Sequence, residues 1–190
     1  MEKIKNIIAA SIATKTAILN DAAFIVKLQT VADEITTCFK NGGRLYFCGN
    51  GGSAADAQHL AAEFTGRFYK DRHPLPAEAL HVNTSFLTAV ANDYSYDEVY
   101  ERLIKAQGRA GDFLFGISTS GNSKNVVLAQ KEAQKIGMKV IAFTGEKGGE
   151  MRNCCDFLFN VPSNDTPRIQ ESHILIGHII CQLVEENMYP

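Results

Sequence analysis

Residues 46 to 67, YFCGNGGSAADAQHLAAEFTGR, decide the fold, because an apolar run leads into a glycine-rich loop and the loop leads into a helical pattern. A short, continuously apolar strand followed by a helix is the repeating unit of a parallel sheet with helices on both faces. The same stretch places a His and a Glu four residues apart, on one face of the helix. The loop therefore belongs to a nucleotide site, a metal site, or an acid-base site for a smaller phosphorylated molecule.

The alternation of strand and helix patterns continues outward from this stretch. Two helical patterns precede the first strand, and Asn20 and Asp21 separate them and offer a cap. The pattern predicts a doubly wound α/β fold with a five-stranded parallel sheet, in a single domain over 1–190 whose residues 1–41 form an N-terminal helical extension. The predicted helices cover 3–18, 21–40, a segment from near Ser53, 85–91, 96–109, 124–137 and 168–187, and the predicted strands cover 44–48, 77–82, 112–118, 139–145 and 156–161.

Composition excludes several classes of protein. A formal net charge of -2 provides no basic field for nucleic acid. No apolar run reaches the roughly 18 residues of a membrane span, and the N-terminus has an amphipathic pattern instead of a signal peptide. The five cysteines form no C-x-x-C pair, which favours reduced thiols in a cytoplasmic protein.

The first loop, GNGGS at 49–53, suits the close approach of a ligand to the backbone. Ser53 occupies the position of a helix N-cap, and a helix N-terminus favours an anion. The spacing matches neither the triphosphate loop nor the dinucleotide fingerprint. A tight turn with a capping serine is an equally good explanation of this loop on its own.

The second loop, STSGNS at 118–123, favours phosphate. Its four hydroxyl residues lie between a buried strand and a helix start, where capping explains one or two of them. In an open parallel sheet, both loops lie outside the carboxyl ends of the strands, where ligands bind. A phosphomonoester on a small polar molecule fits these loops best. The four residues are Ser118, Thr119, Ser120 and Ser123.

A candidate metal or acid-base site involves two helices. His59 and Glu63 are neighbours on one helix face and form either a surface hydrogen bond or half of a zinc site. Gln170 and His178 in the last helix are eight residues apart, about 12 Å of axial rise, which is long for two ligands of one metal. His178 is either a core histidine or an acid-base group in an apolar setting.

Four further polar residues lie outside these motifs. Asn92 and Asp93 either cap the next helix or reach hydroxyls of a ligand. His73 and His81 have no chemical neighbours in the pattern and are predicted to be structural or surface residues.

Taken together, the motifs resemble the phosphoheptose isomerases of the sugar-isomerase (SIS) family essentially end to end. The strongest are CGNGGSAADAQHLAAEFTGR (48–67), AVANDY (89–94), GISTSGNS (116–123), TGEKGG (144–149) and DTPRIQESHILIGHIICQLVE (165–185). The resemblance implies a flavodoxin-like SIS fold and conversion of D-sedoheptulose 7-phosphate to D-glycero-D-manno-heptose 7-phosphate. This is the first step toward nucleotide-activated heptose for lipopolysaccharide or capsule.

The resemblance also implies a homotetramer with active sites between subunits and one zinc ion per subunit. It implies zinc ligands at His59, Glu63, Gln170 and His178, with Asp56 as a group that orients His59. The chain departs from some members at Pro167, where they carry an acidic residue, and nearby Asp165 is left out of the site. The implied substrate contacts are Asn50, Gly51, Gly52, Ser53, Glu63, Asn92, Asp93, Ser118, Thr119, Ser120, Ser123 and Gln170.

The implied reaction passes through an enediol and needs one base and one acid. Our hypothesis assigns these roles to Glu63 and His178, in either order. Zinc would then act as a Lewis acid or as a modulator, because a ligand has already donated the lone pair that a base requires. The rival function is a non-catalytic SIS adaptor that binds the replication initiator DnaA. That relative lacks the Glu and the final His at these two positions, which favours the enzyme.

Overall fold

The computed structural model describes residues 1–190. Its helices are α1 (Glu2–Leu19), α2 (Ala22–Lys40), α3 (Gly52–Thr65), α4 (Thr84–Asp93), α5 (Val99–Gln107), α6 (Lys124–Ile136) and α7 (Thr166–Met188). Its strands are β1 (Leu45–Gly49), β2 (Ala77–Ala79), β3 (Phe113–Ile117), β4 (Lys139–Thr144) and β5 (Phe157–Asn160). Short 3-10 turns cover Tyr96–Glu98 and Glu150–Asn153.

The five strands form one parallel sheet, as the sequence predicted, and their order is β2-β1-β3-β4-β5. The chain moves from β1 to one edge and then returns to the other side of β1, so the order reverses between β1 and β3. In flavodoxin-like sheets this reversal opens a crevice at the carboxyl ends of the two strands. Gly49 pairs with Ile117 there, so the two polar loops start side by side.

Two separate apolar cores cover the faces of the sheet. One core packs α2, α3 and α7 on the sheet, and the other packs α5 and α6. The side chains of β1 and β3 are buried throughout, which explains their continuously apolar sequences. All five cysteines are free thiols, and four of them are buried.

The N-terminal helices differ in how much they are packed. α2 begins after Asp21, whose carboxylate accepts the backbone N–H of Phe24, so the predicted cap is confirmed. α1 exposes Ile4, Ile7 and Ile12. No single helix has the length and apolar content to cross a membrane; only α1 and α2 counted together pass on those criteria, and they meet at a bend of 74°.

Some element boundaries differ from the prediction. β2 ends at Ala79 because only Leu45–Phe47 of its neighbour pair with it, and the chain then turns. The helix predicted over 96–109 begins with a 3-10 turn, and α5 itself spans Val99–Gln107. The last helix starts at Thr166, since Pro167 is well suited to the first helical turn.

Candidate active site

The glycine loop turns sharply from β1 into α3. Gly51 has a φ of 56°, which a glycine adopts without the steric cost that a Cβ would bring. The prediction that Ser53 is the N-cap is wrong: Gly51 holds that position, and the turn carries Ser53 into the first turn of the helix. There the Ser53 N–H donates to the Asn50 carbonyl at 3.0 Å, and the buried Ser53 side chain makes no capping bond.

The serine loop holds its hydroxyls together. Ser118 Oγ lies 2.8 Å from Ser123 Oγ and 3.3 Å from Ser120 Oγ. Ser123 is the N-cap residue of α6, yet its hydroxyl makes no bond to the helix. The positive end of the helix dipole and these hydroxyls therefore point to an anion site, which fits the predicted phosphate cradle.

A cavity of about 300 Å³ adjoins the serine loop and extends toward the start of α7. Ser120 is exposed beside it, and Lys147 brings a positive charge to its wall. The same cavity is also lined by Thr119, Gly145 and Thr166. Hydroxyl, backbone and ammonium groups line this space, which suits a phosphate group, whereas the Glu146 carboxylate on the same wall opposes an anion.

The His59–Glu63 pair meets His178 on the surface formed by α3 and α7. His59 Nε2 lies 3.0 Å from His178 Nε2 and 3.2 Å from Glu63 Oε1. The His59 side chain is 50% exposed, so the cluster is reachable from outside the chain. Burial and the neighbouring His59 ring lower the pKa of His178, against the opposing effect of Glu63.

These three side chains fit a metal ion by their chemistry. Their potential ligand atoms all lie within 4.8 Å of one another. Two imidazole nitrogens and one carboxylate oxygen are ligands that zinc accepts, with a fourth position left for another group. The two ring nitrogens at 3.0 Å either share a hydrogen bond or are placed to hold one cation between them.

Gln170 lies apart from this cluster. α3 and α7 run side by side in the same direction, so that Gln170 meets Gly52 at one end while Leu60 meets Gly177 further along. A Cβ built on Gly52 would lie 2.5 Å from Gln170 Nε2. The eight residues from Gln170 to His178 span about 12 Å of helix. Within one chain the structure therefore brings three of the four predicted ligands together and leaves Gln170 at the glycine loop.

Asn92 and Asp93 end α4, exposed to solvent, and their side chains hydrogen-bond each other at 2.8 Å. The alternative that they cap the next helix is wrong, because Ser95 accepts the backbone N–H of Asp97 at the following turn. Their side chains stay available to a ligand.

Asp56 lies one turn before His59 in α3. Its Oδ2 atom is buried without a hydrogen-bond partner. Burial raises the pKa of this carboxyl to about 6, and the neighbouring His59 partly opposes the rise. The predicted role of orienting His59 stays a prediction.

Sequence reasoning missed a buried ion pair that fixes the C-terminal end of α3. Glu185 Oε1 accepts Arg72 Nε at 3.0 Å, and both side chains are only 3% exposed. Arg72 also donates to the carbonyls of Glu63 and Phe64, the last turn of α3. Glu185 further accepts the N–H of Phe68, whose ring lies 5.6 Å from the His178 ring. The pair therefore supports both sides of the candidate metal cluster.

The sequence pattern of the SIS domain family matches residues 2–145 of this chain. Curated relatives named phosphoheptose isomerase match nearly the whole chain. One from Clostridium acetobutylicum is 52% identical over 182 residues, which are 96% of this chain and 93% of the relative. One from Burkholderia pseudomallei is 49% identical over 186 residues, which are 98% of this chain and 94% of the relative.

Two solved structures share the whole architecture. The phosphoheptose isomerase GmhA from Neisseria gonorrhoeae is 44% identical and superposes with a TM-score of 0.91, covering 97% of this chain and 98% of that one. A phosphoheptose isomerase from Francisella tularensis is 36% identical with a TM-score of 0.92, covering 97% of each chain.

Proposed function

This chain belongs to the SIS domain family and, within it, to the phosphoheptose isomerases, and from that membership we propose that it converts D-sedoheptulose 7-phosphate to D-glycero-D-manno-heptose 7-phosphate. It is a sugar-phosphate isomerase that acts in heptose biosynthesis. The observation that carries the proposal is the 52% identity over 96% of the chain to a phosphoheptose isomerase. The hydroxyl cradle supports it, because its hydroxyl groups can hydrogen-bond the phosphate of such a substrate.

The reaction moves one proton between two carbons and one between two oxygens. A base removes a proton from C1 of the ketose while an acid protonates the C2 carbonyl oxygen, which gives the enediol. The proton then returns to C2, and the C1 hydroxyl loses its proton to form the aldehyde. Glu63 and His178 take these two roles in the state in which they do not hold a metal ion, supported by their placement within 4.8 Å of each other in one cluster.

The serine loop anchors the far end of the substrate. Ser118, Ser120 and Ser123 hold the phosphate at the start of α6, and the bound phosphate orients the sugar chain. Binding energy from this remote group is thereby used to place C1 and C2 against the acid and base. Asn92, Asp93 and the backbone of the glycine loop contribute contacts to the sugar hydroxyls.

Zinc is the proposed metal, held by His59, Glu63 and His178 of one subunit, with the Gln170 of a neighbouring subunit as the fourth ligand, because Gln170 of the same chain lies at the glycine loop. When bound, the ion supplies a Lewis acid close to the substrate oxygens. The assignment is supported by the ligand atoms of these three side chains, which all lie within 4.8 Å of one another. The exposed side of His59 leaves room for the fourth group.

The distance between the two halves of the site supports active sites shared between subunits of a homotetramer. Ten residues of α3 separate Ser53 from Glu63, about 15 Å along the helix axis. An extended chain of seven carbons with a phosphate spans only about 10 Å, since a carbon–carbon bond is about 1.5 Å long. A substrate whose phosphate is held near Ser53 therefore does not span the distance to Glu63 along the same helix, which supports a Glu63 supplied by a neighbouring subunit. We place this assembly in the cytoplasm.

Turnover of sedoheptulose 7-phosphate, followed by NMR as the aldose signal appears, tests the function. We expect Glu63→Gln and His178→Gln each to lower kcat by about a thousandfold or more, since each removes an acid-base group, while inorganic phosphate still binds. Near-normal turnover in either variant would contradict the assigned roles. A wild type without turnover that binds DnaA tightly would instead establish the adaptor function.

A further inference from the structure

We propose that Asn125 is a positioning residue for the isomerisation: its amide pairs with the amide of Asn50 and so fixes the glycine loop relative to the serine loop. The inference rests on the proposed function, in which one substrate is held by both the glycine loop and the serine loop. Asn125 lies in the first turn of α6, two residues after Ser123.

The two amides form a closed pair. Asn50 Nδ2 donates to Asn125 Oδ1 at 2.9 Å, and Asn125 Nδ2 donates to Asn50 Oδ1 at 2.9 Å. Asn50 directly follows β1, whereas Asn125 belongs to the segment after β3. The pair is therefore a cross-link between the two loops at the point where the strand order reverses.

The surroundings leave this pair one arrangement. Asn125 is only 2% exposed, so an unpaired amide there would cost the desolvation of its polar atoms. Its Oδ1 also accepts the N–H of Val126, and Asn50 Oδ1 accepts the hydroxyl of Tyr96 at 3.2 Å. The Tyr100 hydroxyl donates a 2.6 Å hydrogen bond to the carbonyl of Gly49, the residue directly before Asn50, and so fixes the start of the loop.

This geometry gives Asn50 a different role from a direct substrate contact. Its side-chain oxygen already accepts two hydrogen bonds, and one of its amide hydrogens is held by Asn125. The effect of Asn50 on turnover therefore acts mainly through the spacing of the loops. A displacement of about 1 Å in a reacting group can cost about a hundredfold in rate.

The test compares kcat, KM and inhibition by inorganic phosphate in Asn125→Ala, Asn50→Ala and the double variant. We expect Asn125→Ala to lower kcat by about tenfold to a hundredfold. The Ki of inorganic phosphate should stay within about twofold, because phosphate alone needs only the serine loop. The double variant should be no slower than the slower single variant, since residues that act as one pair are not additive.

Matched measurements separate this role from a general loss of structure. Asn187→Ala is the control, because its amide also bridges two helices, through Asp33 and Thr36, but far from both loops. Rates are expressed per folded protein, with the folded fraction taken from urea unfolding. Asn125→Ser, which keeps a small polar group but cannot reach Asn50, replaces Asn125→Ala if that variant does not fold.

Three results would overturn the inference: an Asn125→Ala kcat within about twofold of wild type, a parallel loss of phosphate affinity, or single effects that multiply in the double variant. Multiplying effects would mean that Asn50 contacts the substrate independently. Wild-type protein without turnover would remove the proposed function itself, which is a different outcome from an active wild type with an unaffected variant.

Discussion

Replacing Glu185 by Gln should destabilise the protein strongly, because this carboxylate satisfies four donors in a buried place. Its Oε1 accepts Phe68 N at 3.1 Å and Arg72 Nε at 3.0 Å, and its Oε2 accepts Tyr69 N at 2.7 Å and Lys70 N at 2.9 Å. A glutamine of the same shape turns its NH₂ group toward two of these donors in either orientation. It also leaves the Arg72 guanidinium without a counter-charge.

The magnitude follows from these contacts. Removing one partner of a buried ion pair costs about 3–5 kcal/mol, because the other charge stays buried and unpaired. Glu185→Gln should therefore lower the free energy of unfolding by about 3–5 kcal/mol. Urea unfolding followed by circular dichroism, at one protein concentration, measures this loss. Glu186→Gln is the control, since the neighbouring exposed carboxylate accepts only Gln182 Nε2 and should change stability by about 0.5 kcal/mol or less.

The pH dependence provides an independent check. Burial alone raises the pKa of Glu185, but the N–H groups of Lys70, Tyr69 and Phe68, together with Arg72, outweigh it and lower the pKa. A lowered folded-state pKa gives stability that is present above the unfolded-state pKa of about 4.3 and is lost as the pH falls through the folded-state value. In Glu185→Gln, this decline of the free energy of unfolding at acid pH should be absent. A stability loss below about 1 kcal/mol at neutral pH would refute the account of the ion pair.

Two further changes test the site. Gly52→Ala should lower kcat/KM by about tenfold or more, because the new Cβ meets Gln170 Nε2 at 2.5 Å. Thermal stability should barely change, since the Gln170 side chain can move away. An unchanged kcat/KM in a sugar-isomerase assay would contradict a role for this contact. His59→Ala should weaken zinc binding, measured by calorimetry, by about a hundredfold or more, because one ligand is lost. His73 is an exposed histidine outside the cluster, so His73→Ala should bind zinc as the wild type does. Equal zinc affinities of the two variants would contradict the metal cluster.

The sheet could be predicted from the sequence because each strand is a short apolar run between helical patterns. The strand bounds agree within a few residues, and Asp21 was recognisable as a cap from its type and place. The strand order was not predicted from the sequence, since local patterns do not specify which strands are neighbours; the resemblance implied only a flavodoxin-like fold. β2 was overestimated because an apolar run continues past the last residue that its single neighbour can pair with.

The candidate site was partly predictable for a similar reason. His59 and Glu63 share a helix face by their spacing, and the serine loop was visible from four clustered hydroxyls. The partners of long-range contacts left no such signal. Asn50 and Asn125 are 75 residues apart, and Arg72 and Glu185 are 113 apart. Ser53 was misplaced because the positive φ of Gly51, which shifts the helix start, has no periodic signature.

The parallel packing of α3 against α7 has a consequence for how such a protein can evolve. In the proposed assembly, one end of α3 serves the active site of its own subunit and the other end serves a neighbour's. A substitution in the middle of this helix that changes its length or tilt therefore perturbs two catalytic centres at once. Selection on either centre constrains the same helix, so new substrate preferences would arise more easily through exposed residues outside it, such as Asn92 and Asp93 at the end of α4, than through the helices that join the sites.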